Sequence, residues 1–540
     1  MGKRTVLWSS LLLLAAFFLF VPGAVRREAE PGFLEPGSLL EETEQAIRLR
    51  ERLTETLDTG EVRLCFRGEE LACDRDTGVW YLPVDMEEPR WEEGTFTAFG
   101  DEIRILPLAD YTTLDKQSVV AEGEKVPFLA WKGEACAPVH VIFTGLPVVR
   151  METGADLDVD TVFAGSVVFY EACGRQDWTM TSGFEAHERG QTTRAFPKRG
   201  YRVNLISVTG TGAARKNPQQ VLGMRDSDSW IFYAIYSDGT RVRDRFSIGL
   251  WNAFGASGTP YDAHYGTHME YAELVVNGEY RGLYGILEPI DCRQLAVSDQ
   301  EYLYKRTMGR ILSTEQMDLN MPEDYLTVLG MEIKGKEGQG TRRDWQSFRR
   351  FVAMEEAGDA AFAEEAEKLL AIENAADIWL YLQMLYGEDN IYKNMFFAFK
   401  KEADGERMYL IPWDVDLSWG NVYTDQAEEL YAVHMPEAAE KYLHWPFMDR
   451  VIRLDVGGIR SVIEERYKTL RDGPLSPEEM EALLEECIHQ VQDSGAFQRD
   501  AARWPDSHHD GDYDGMRDFV ERRMKFLEKI IKNMDEWIQD

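Results

Sequence analysis

Between Gly387 and Tyr423 the chain reads GEDNIYKNMFFAFKKEADGERMYLIPWDVDLSWGNVY, which sets an Asp, an Asn and an Asp-x-Asp pair at spacings suited to a metal-nucleotide site. Asp389 and Asn394 are five positions apart, the offset at which a protein kinase's catalytic loop places its proton-accepting Asp and its metal-binding Asn. Asp414 and Asp416 follow an apolar, strand-like run, Met408–Ile411, where a kinase keeps its magnesium-binding Asp. Carboxylates and an amide are hard oxygen donors that suit Mg2+ or Mn2+ beside phosphate, so the pattern points to phosphoryl transfer. If the chain is extended here, Asp414 and Asp416 share one face, one binding metal while its neighbour orients it. Which of the two binds is open at this point. A lone D-x-D is equally a turn that uses Asp for local hydrogen bonds. The D-N-x-x-x-N block upstream tips the reading towards chemistry.

An anionic nucleotide needs positive charge nearby, and the run Arg194, Lys198, Arg199, Arg202 supplies it. Lys198 and Arg202 follow a small-residue loop that starts at Arg189-Gly190 and includes Thr192. A strand after such a loop is where a kinase keeps the lysine that contacts the α- and β-phosphates. Arg189, Gly190, Thr192, Lys198 and Arg202 are therefore candidate ATP-binding residues, with Lys198 the first choice and, beside Asp389, a candidate catalytic residue. The loop lacks a full G-x-G-x-x-G. Asp244 and Glu288 are both candidates for the acid that pairs with the lysine.

These blocks resemble the CotH-type spore-coat kinases, whose members carry a similar D-N-x-x-x-N block followed by P-W-D-x-D. RGQTTRAFPKRGYRVNL (Arg189–Leu205) resembles the family's R-G-x-[ST]-[ST]-x-x-[FY]-P-K-[KR] segment, with Arg199 where a second Lys is frequent. LGMRDSDSWIFYAIYSDGTRVRDRFS (Leu222–Ser247) and VNGEYRGLYGILEPID (Val276–Asp291) are similar to its next blocks, in order. The resemblance implies an atypical protein-kinase-like, two-lobed α+β fold, with ATP and Mg2+ or Mn2+ as cofactors. It further implies Asp389 as the group that accepts or orients the acceptor hydroxyl's proton, Asn394 and Asp414 as metal ligands with Asp416 the rival for Asp414, and Ser or Thr of a surface or spore-coat protein as acceptor. A non-catalytic surface assembly module is the alternative from a different class, and another nucleotide-dependent transferase is a third.

Positioning these residues requires two kinds of element. Short alternating runs such as VRLCF, VWYLPV, VHVIFTGLPVV, SVVFYEA and YRVNLISV predict strands, and Asn277-Gly278 predicts a hairpin turn within Tyr271–Leu287. Apolar residues at helical spacing predict helices over 41–57, 240–254, 345–354, 360–370, 374–386, 476–490 and 513–534, the fifth delivering Asp389 at its C-terminal end. The organisation expected is a signal peptide or membrane anchor at 1–27, a helical stalk at 28–60, a small β-rich module at 61–138, a kinase-like N-lobe at 139–290 and a helical C-lobe at 291–540.

With 59 Lys plus Arg against 95 Asp plus Glu the net charge is −36, which opposes nucleic acid as a partner and favours a basic, Ser-rich protein substrate. Lys3 and Arg4 precede an apolar run from Val6 to Val25 that reads as an export signal or single anchor, predicting an extracytoplasmic protein at the cell or spore surface. The 6 cysteines include no C-x-x-C, which disfavours zinc; Cys65 and Cys73 could bridge a hairpin, and free buried thiols that act as small hydrophobes fit a chain of this size at least as well. Ser507–Gly515 is acidic but does not match the ligand offsets of a calcium loop, and reads as surface.

Overall fold

β-branched and aromatic residues in alternation give the N-terminal part of the chain its sheets. The computed structural model describes residues 32–100, 102–154, 161–190, 192–208, 214–256, 266–309, 312–318, 329–335, 342–423 and 432–538. The apolar run at 6–25 lies outside them, and no helix among the described residues is long and apolar enough to cross a membrane. The structure is mixed α+β, and its residues group into two units. The first comprises the described residues up to Tyr236 with Met269–Glu288 and Ile488–Ser507; the second comprises Ser237–His268, Pro289–Cys487 and the described residues from His508 onward. The chain therefore passes between units several times, where the sequence reading placed one boundary at 290/291. That reading assumed continuous segments, whereas contacts far apart in sequence decide the grouping.

In the first unit a six-stranded sheet holds Val79–Pro83, Lys125–Lys132 and Ala135–Thr144, with Glu55–Thr56 pairing parallel to Ala135–Cys136. That pairing draws the chain out of helix, so the stalk helix runs Leu40–Arg50 and does not reach Leu57. An eight-stranded sheet contains Val148–Thr153, Phe163–Tyr170, Thr179–Arg189, Gly200–Val208, Ser229–Tyr233, Met269–Val276 and Glu279–Leu287. Thr179–Arg189 pairs additionally with Gly200–Val208, so the sheet closes on itself and hides its edges around Phe169, Phe184, Trp230 and Phe232. Asn277 and Gly278 both have positive φ (53° and 75°), the turn geometry the Asn-Gly pair favours. Cys65 lies in a three-stranded sheet and Cys73 in the six-stranded one, and both are free thiols; the bridge expected between them does not form.

The second unit is less purely helical than the 291–540 reading proposed. An antiparallel sheet runs in the order Met331–Lys334, Tyr302–Arg306, Met395–Glu402, Gly405–Pro412. Helices Gln346–Glu356, Asp359–Leu369 and Ile372–Leu385 belong to the same unit, within a residue or two of their predicted spans. Ile372–Leu385 is buried along almost its whole length, consistent with its near-continuous apolar sequence.

Half-buried Glu355, on the helix Gln346–Glu356, has its carboxyl pushed up to about 7 by burial, which outweighs attraction to Arg306 and Arg450. An unfolded Glu titrates near ~4.3, so the folded chain holds this proton longer, and stability falls as pH rises from about 4.3 to about 7. Glu355→Gln is expected to raise the thermal midpoint at pH 8 and to leave it unchanged at pH 4. A variant less stable than the parent at pH 8 would mean that the pairing with Arg306 outweighs burial.

Candidate active site

One hairpin brings the two acidic motifs together. Met395–Glu402 pairs antiparallel with Gly405–Pro412 in a register that sets Met395 opposite Pro412, so Asn394 and Trp413 lie just beyond the same end. There the Trp413 N–H donates to the Asn394 carbonyl (3.0 Å). Asn390 staples the junction, its Nδ2 donating to the carbonyls of Asn394 (3.1 Å) and Trp413 (2.8 Å). Asn390 is 1% exposed, and its buried Oδ1 has no hydrogen-bond partner among the described residues. The sequence reading gave it no role, although the D-N-x-x-x-N block contains it.

Asp389 follows from how the preceding helix stops. Tyr386 takes the left-handed conformation (φ 54°) after Ile372–Leu385, and the chain restarts as the short helix Glu388–Tyr392. One turn on, Lys393 Nζ reaches Asp389 Oδ2 at 3.1 Å, and Asn394 Nδ2 donates to the same oxygen at 2.7 Å. Burial pushes the Asp389 carboxyl up, Lys393 draws it back, and the charge of Asp414 adds to the rise. A raised carboxylate is a better proton acceptor at neutral pH.

The strand ends at Pro412, so the extended arrangement expected for Asp414 and Asp416 does not occur: Asp414 has φ 57° and the chain turns. Tyr386, Asn394, Asp414 and Trp419 are all non-glycine residues at positive φ around this one junction. Such residues cost on the order of 1–3 kcal/mol each and gather at functional sites. Asp416 accepts from Ser237 Oγ (3.0 Å) and from the Leu417 N–H (3.1 Å). Its carboxyl is pushed up to about 7 by burial first, then by Asp414 and Asp389. The charges of Asp414 and Asp389 thus add to the cost of ionising Asp416, a penalty that a divalent cation relieves.

The donors fit Mg2+ or Mn2+ by chemistry. No group of three His, Cys, Asp or Glu among the described residues forms a protein-only cage. Magnesium commonly takes one or two carboxylates and completes its shell with phosphate oxygens and water. The Asn394 amide oxygen with one of Asp414 and Asp416 is sufficient for that arrangement.

The candidate nucleotide residues lie in the first unit. Arg189 ends a strand, Gly190 has φ 110°, and Thr192–Ala195 forms a single 3-10 turn before Gly200–Val208, which carries Arg202. A Cβ at Gly190 would strike the Thr193 hydroxyl, which requires glycine there. Lys198 is buried at 1% exposure. Its Nζ donates to Asp500 Oδ1 (2.6 Å) and to the Leu283 carbonyl (2.5 Å) and stands 4.9 Å from the Tyr284 ring centroid. An acid that pairs with Lys198 is Asp500, on the helix Ala496–Arg503. Glu288 accepts from the Arg225 N–H at 2.8 Å. No local signal marks Asp500, which lies 302 positions from Lys198.

Trp413 (4% exposed) and Trp419 (0%) are packing residues, as their type predicts. In the acidic stretch after Ser507, Asp512 caps the helix Tyr513–Lys532 through the Gly515 N–H, a backbone role. A family model described as CotH kinase protein matches residues 186–527, more than half of the 540-residue chain. No curated protein matches the chain.

Proposed function

Since the chain belongs to the CotH kinase protein family, we propose that it is an atypical protein kinase, transferring the γ-phosphoryl group of ATP to Ser or Thr of a surface or spore-coat protein. The observation that carries this reading is the junction at the end of the hairpin, where Asp389, Asn394 and Asp414 converge from two motifs. Asp389 Oδ1 receives the acceptor's proton, while Lys393 and Asn394 hold Oδ2 and fix the carboxylate plane. The acceptor oxygen then forms its bond to the γ-phosphorus as the bond to the β-phosphate oxygen breaks and ADP leaves. Asn394 Oδ1 and Asp414, with Asp416 as the neighbour beside them, are the groups that would hold Mg2+ or Mn2+, which neutralises phosphate charge when bound. Arg189, Gly190, Thr192, Lys198 and Arg202 are the proposed nucleotide contacts in a kinase-like, two-lobed arrangement.

The acceptor is a basic, Ser-rich protein, since the −36 net charge attracts such a chain. Transfer to a basic peptide is expected to exceed that to an acidic one at low salt, with the gap narrowing towards 1 M salt as screening shortens to ~3 Å. Equal rates at low salt would remove charge as the selector. An extracytoplasmic, surface-associated location fits the apolar run at 6–25.

The complete burial of Lys198 favours a second reading, in which the first unit binds no phosphate and the chain is an assembly module. Labelled transfer from γ-labelled ATP, with Mg2+ or Mn2+ and a basic Ser-rich acceptor, decides between them. Incorporation into the peptide is the expected result. Absence of both incorporation and ATP binding would leave the assembly reading.

A further inference from the structure

The block SDGTRVRDR, 237–245, lies within a segment that resembles the family, but the reading above gives it no task. In the structure it is built around Asp238, which is 0% exposed. Asp238 Oδ1 accepts from the Thr240 N–H (3.0 Å), the Thr240 hydroxyl (2.8 Å) and Arg243 Nη1 (2.5 Å). Its Oδ2 accepts from the Arg243 N–H (2.9 Å), at the first turn of the helix Arg243–Ala256. Burial alone would raise this carboxyl, yet it is lowered, with Arg243 as the leading stabiliser. The turn before the helix is therefore rigid, and the helix starts at Arg243 rather than at Thr240.

This turn and the helix that follows it hold the acidic loop 413–420 through Ser237 and Ser247. Ser237, 9% exposed, donates from Oγ to Asp416 Oδ2 at 3.0 Å. Four residues into the helix, Ser247 Oγ accepts from Trp419 Nε1 at 2.9 Å and lies 3.4 Å from Ser418 Oγ. Ser418 Oγ donates to the Val415 carbonyl at 2.6 Å, and Asn421 Nδ2 donates to the Asp416 carbonyl at 2.9 Å. Both Asp416 oxygens are thus occupied, one by Ser237 and the other by the Leu417 N–H. Neither oxygen of Asp414 accepts a hydrogen bond among the described residues.

We propose that Ser237 is a positioning residue that holds Asp416 as an orienting neighbour and so presents Asp414 as the carboxylate that binds the divalent cation. The idea rests on the kinase reading for the same site. A hydroxyl that fixes one acid of an adjacent pair keeps the loop in the left-handed turn at Asp414 and leaves that residue's lone pairs outward. Partners that orient metal ligands in this way are commonly worth 10–100-fold in metal affinity.

The test is Mn2+ binding to the full chain, with and without ATP, followed by the spectroscopic signal of free Mn2+. Ser237→Ala is expected to weaken Mn2+ about tenfold, Ser237→Thr to restore it, and Asp414→Asn to abolish it. Asp416→Asn, which keeps an acceptor for Ser237, is expected to bind within a few-fold of the parent. In transfer assays Ser237→Ala should raise the Mn2+ concentration needed for half-maximal rate and leave kcat at saturating Mn2+ nearly unchanged. A thermal midpoint near the parent's separates this from general unfolding. Equal Mn2+ affinity in Ser237→Ala and parent would overturn the brace while leaving the kinase reading intact. Loss of binding in Asp416→Asn as complete as in Asp414→Asn would overturn the division of labour. No Mn2+ or Mn2+-ATP binding by the parent would overturn both readings.

Discussion

Asp389→Asn is expected to lower the rate of phosphate transfer at saturating ATP and acceptor by roughly 10²–10⁴, the contribution typical of a positioned proton acceptor. The substitution conserves shape and leaves an oxygen for Asn394 Nδ2, so the junction at the hairpin end should persist. What it removes is the basicity that burial and Asp414 raise. KM for ATP should therefore stay within a few-fold, since an interaction made mainly in the transition state shows in kcat. Lys393 loses its ionic partner, but that exposed-side pair is worth at most about 1 kcal/mol and should hardly move the thermal midpoint. A less than threefold fall in kcat would exclude Asp389 as the proton acceptor.

The second large effect is on stability. Lys198 and Asp500 pair at 2.6 Å with both side chains at 0% exposure, so Asp500→Ala strands a buried ammonium. Breaking a buried pair from one side costs about 3–5 kcal/mol, a large share of a typical domain's stability. The Leu283 N–H also loses its acceptor, Asp500 Oδ1 at 2.9 Å. Replacing both partners by apolar groups, Lys198→Met with Asp500→Leu, should recover most of that loss, because two buried charges are removed together. The pair of variants also weighs the proposed phosphate role of Lys198. Recovered stability with absent transfer would support a catalytic lysine. Recovered stability with normal transfer would make the pair structural and remove Lys198 from the site.

Much of this was legible in the sequence because it is local. The five-residue offset of Asp389 and Asn394 is set within one short helix and the two residues that follow it, and periodicity marks the helix that precedes them. The strand-like run before Asp414 and the Asn277-Gly278 turn are likewise short-range signals. Where the strand would stop was not legible: Pro412 closes it, and the left-handed turn at Asp414 depends on a loop braced from outside. Ser237 touches Asp416 across 179 positions and Asp500 reaches Lys198 across 302, and no periodic pattern encodes either contact. The stalk helix was overpredicted for the same reason, since Glu55–Thr56 is captured by a strand some 80 residues later.

The helix Ala496–Arg503 supplies Asp500 to Lys198, and within it Arg499 makes two 2.8 Å contacts to Glu273, which is also 0% exposed. Two buried charges of the first unit, Lys198 and Glu273, thus take their partners from near the far end of the chain. At synthesis rates of ~5–20 residues per second, the 302 positions between Lys198 and Asp500 take roughly 15–60 s to emerge. Until then Lys198 and Glu273 lack the ionic partners they have in the folded chain. The N-terminal unit is therefore unable to reach its final stability while the chain is still being made, and a ribosome that stops short of residue 500 releases a product whose defect lies near its beginning.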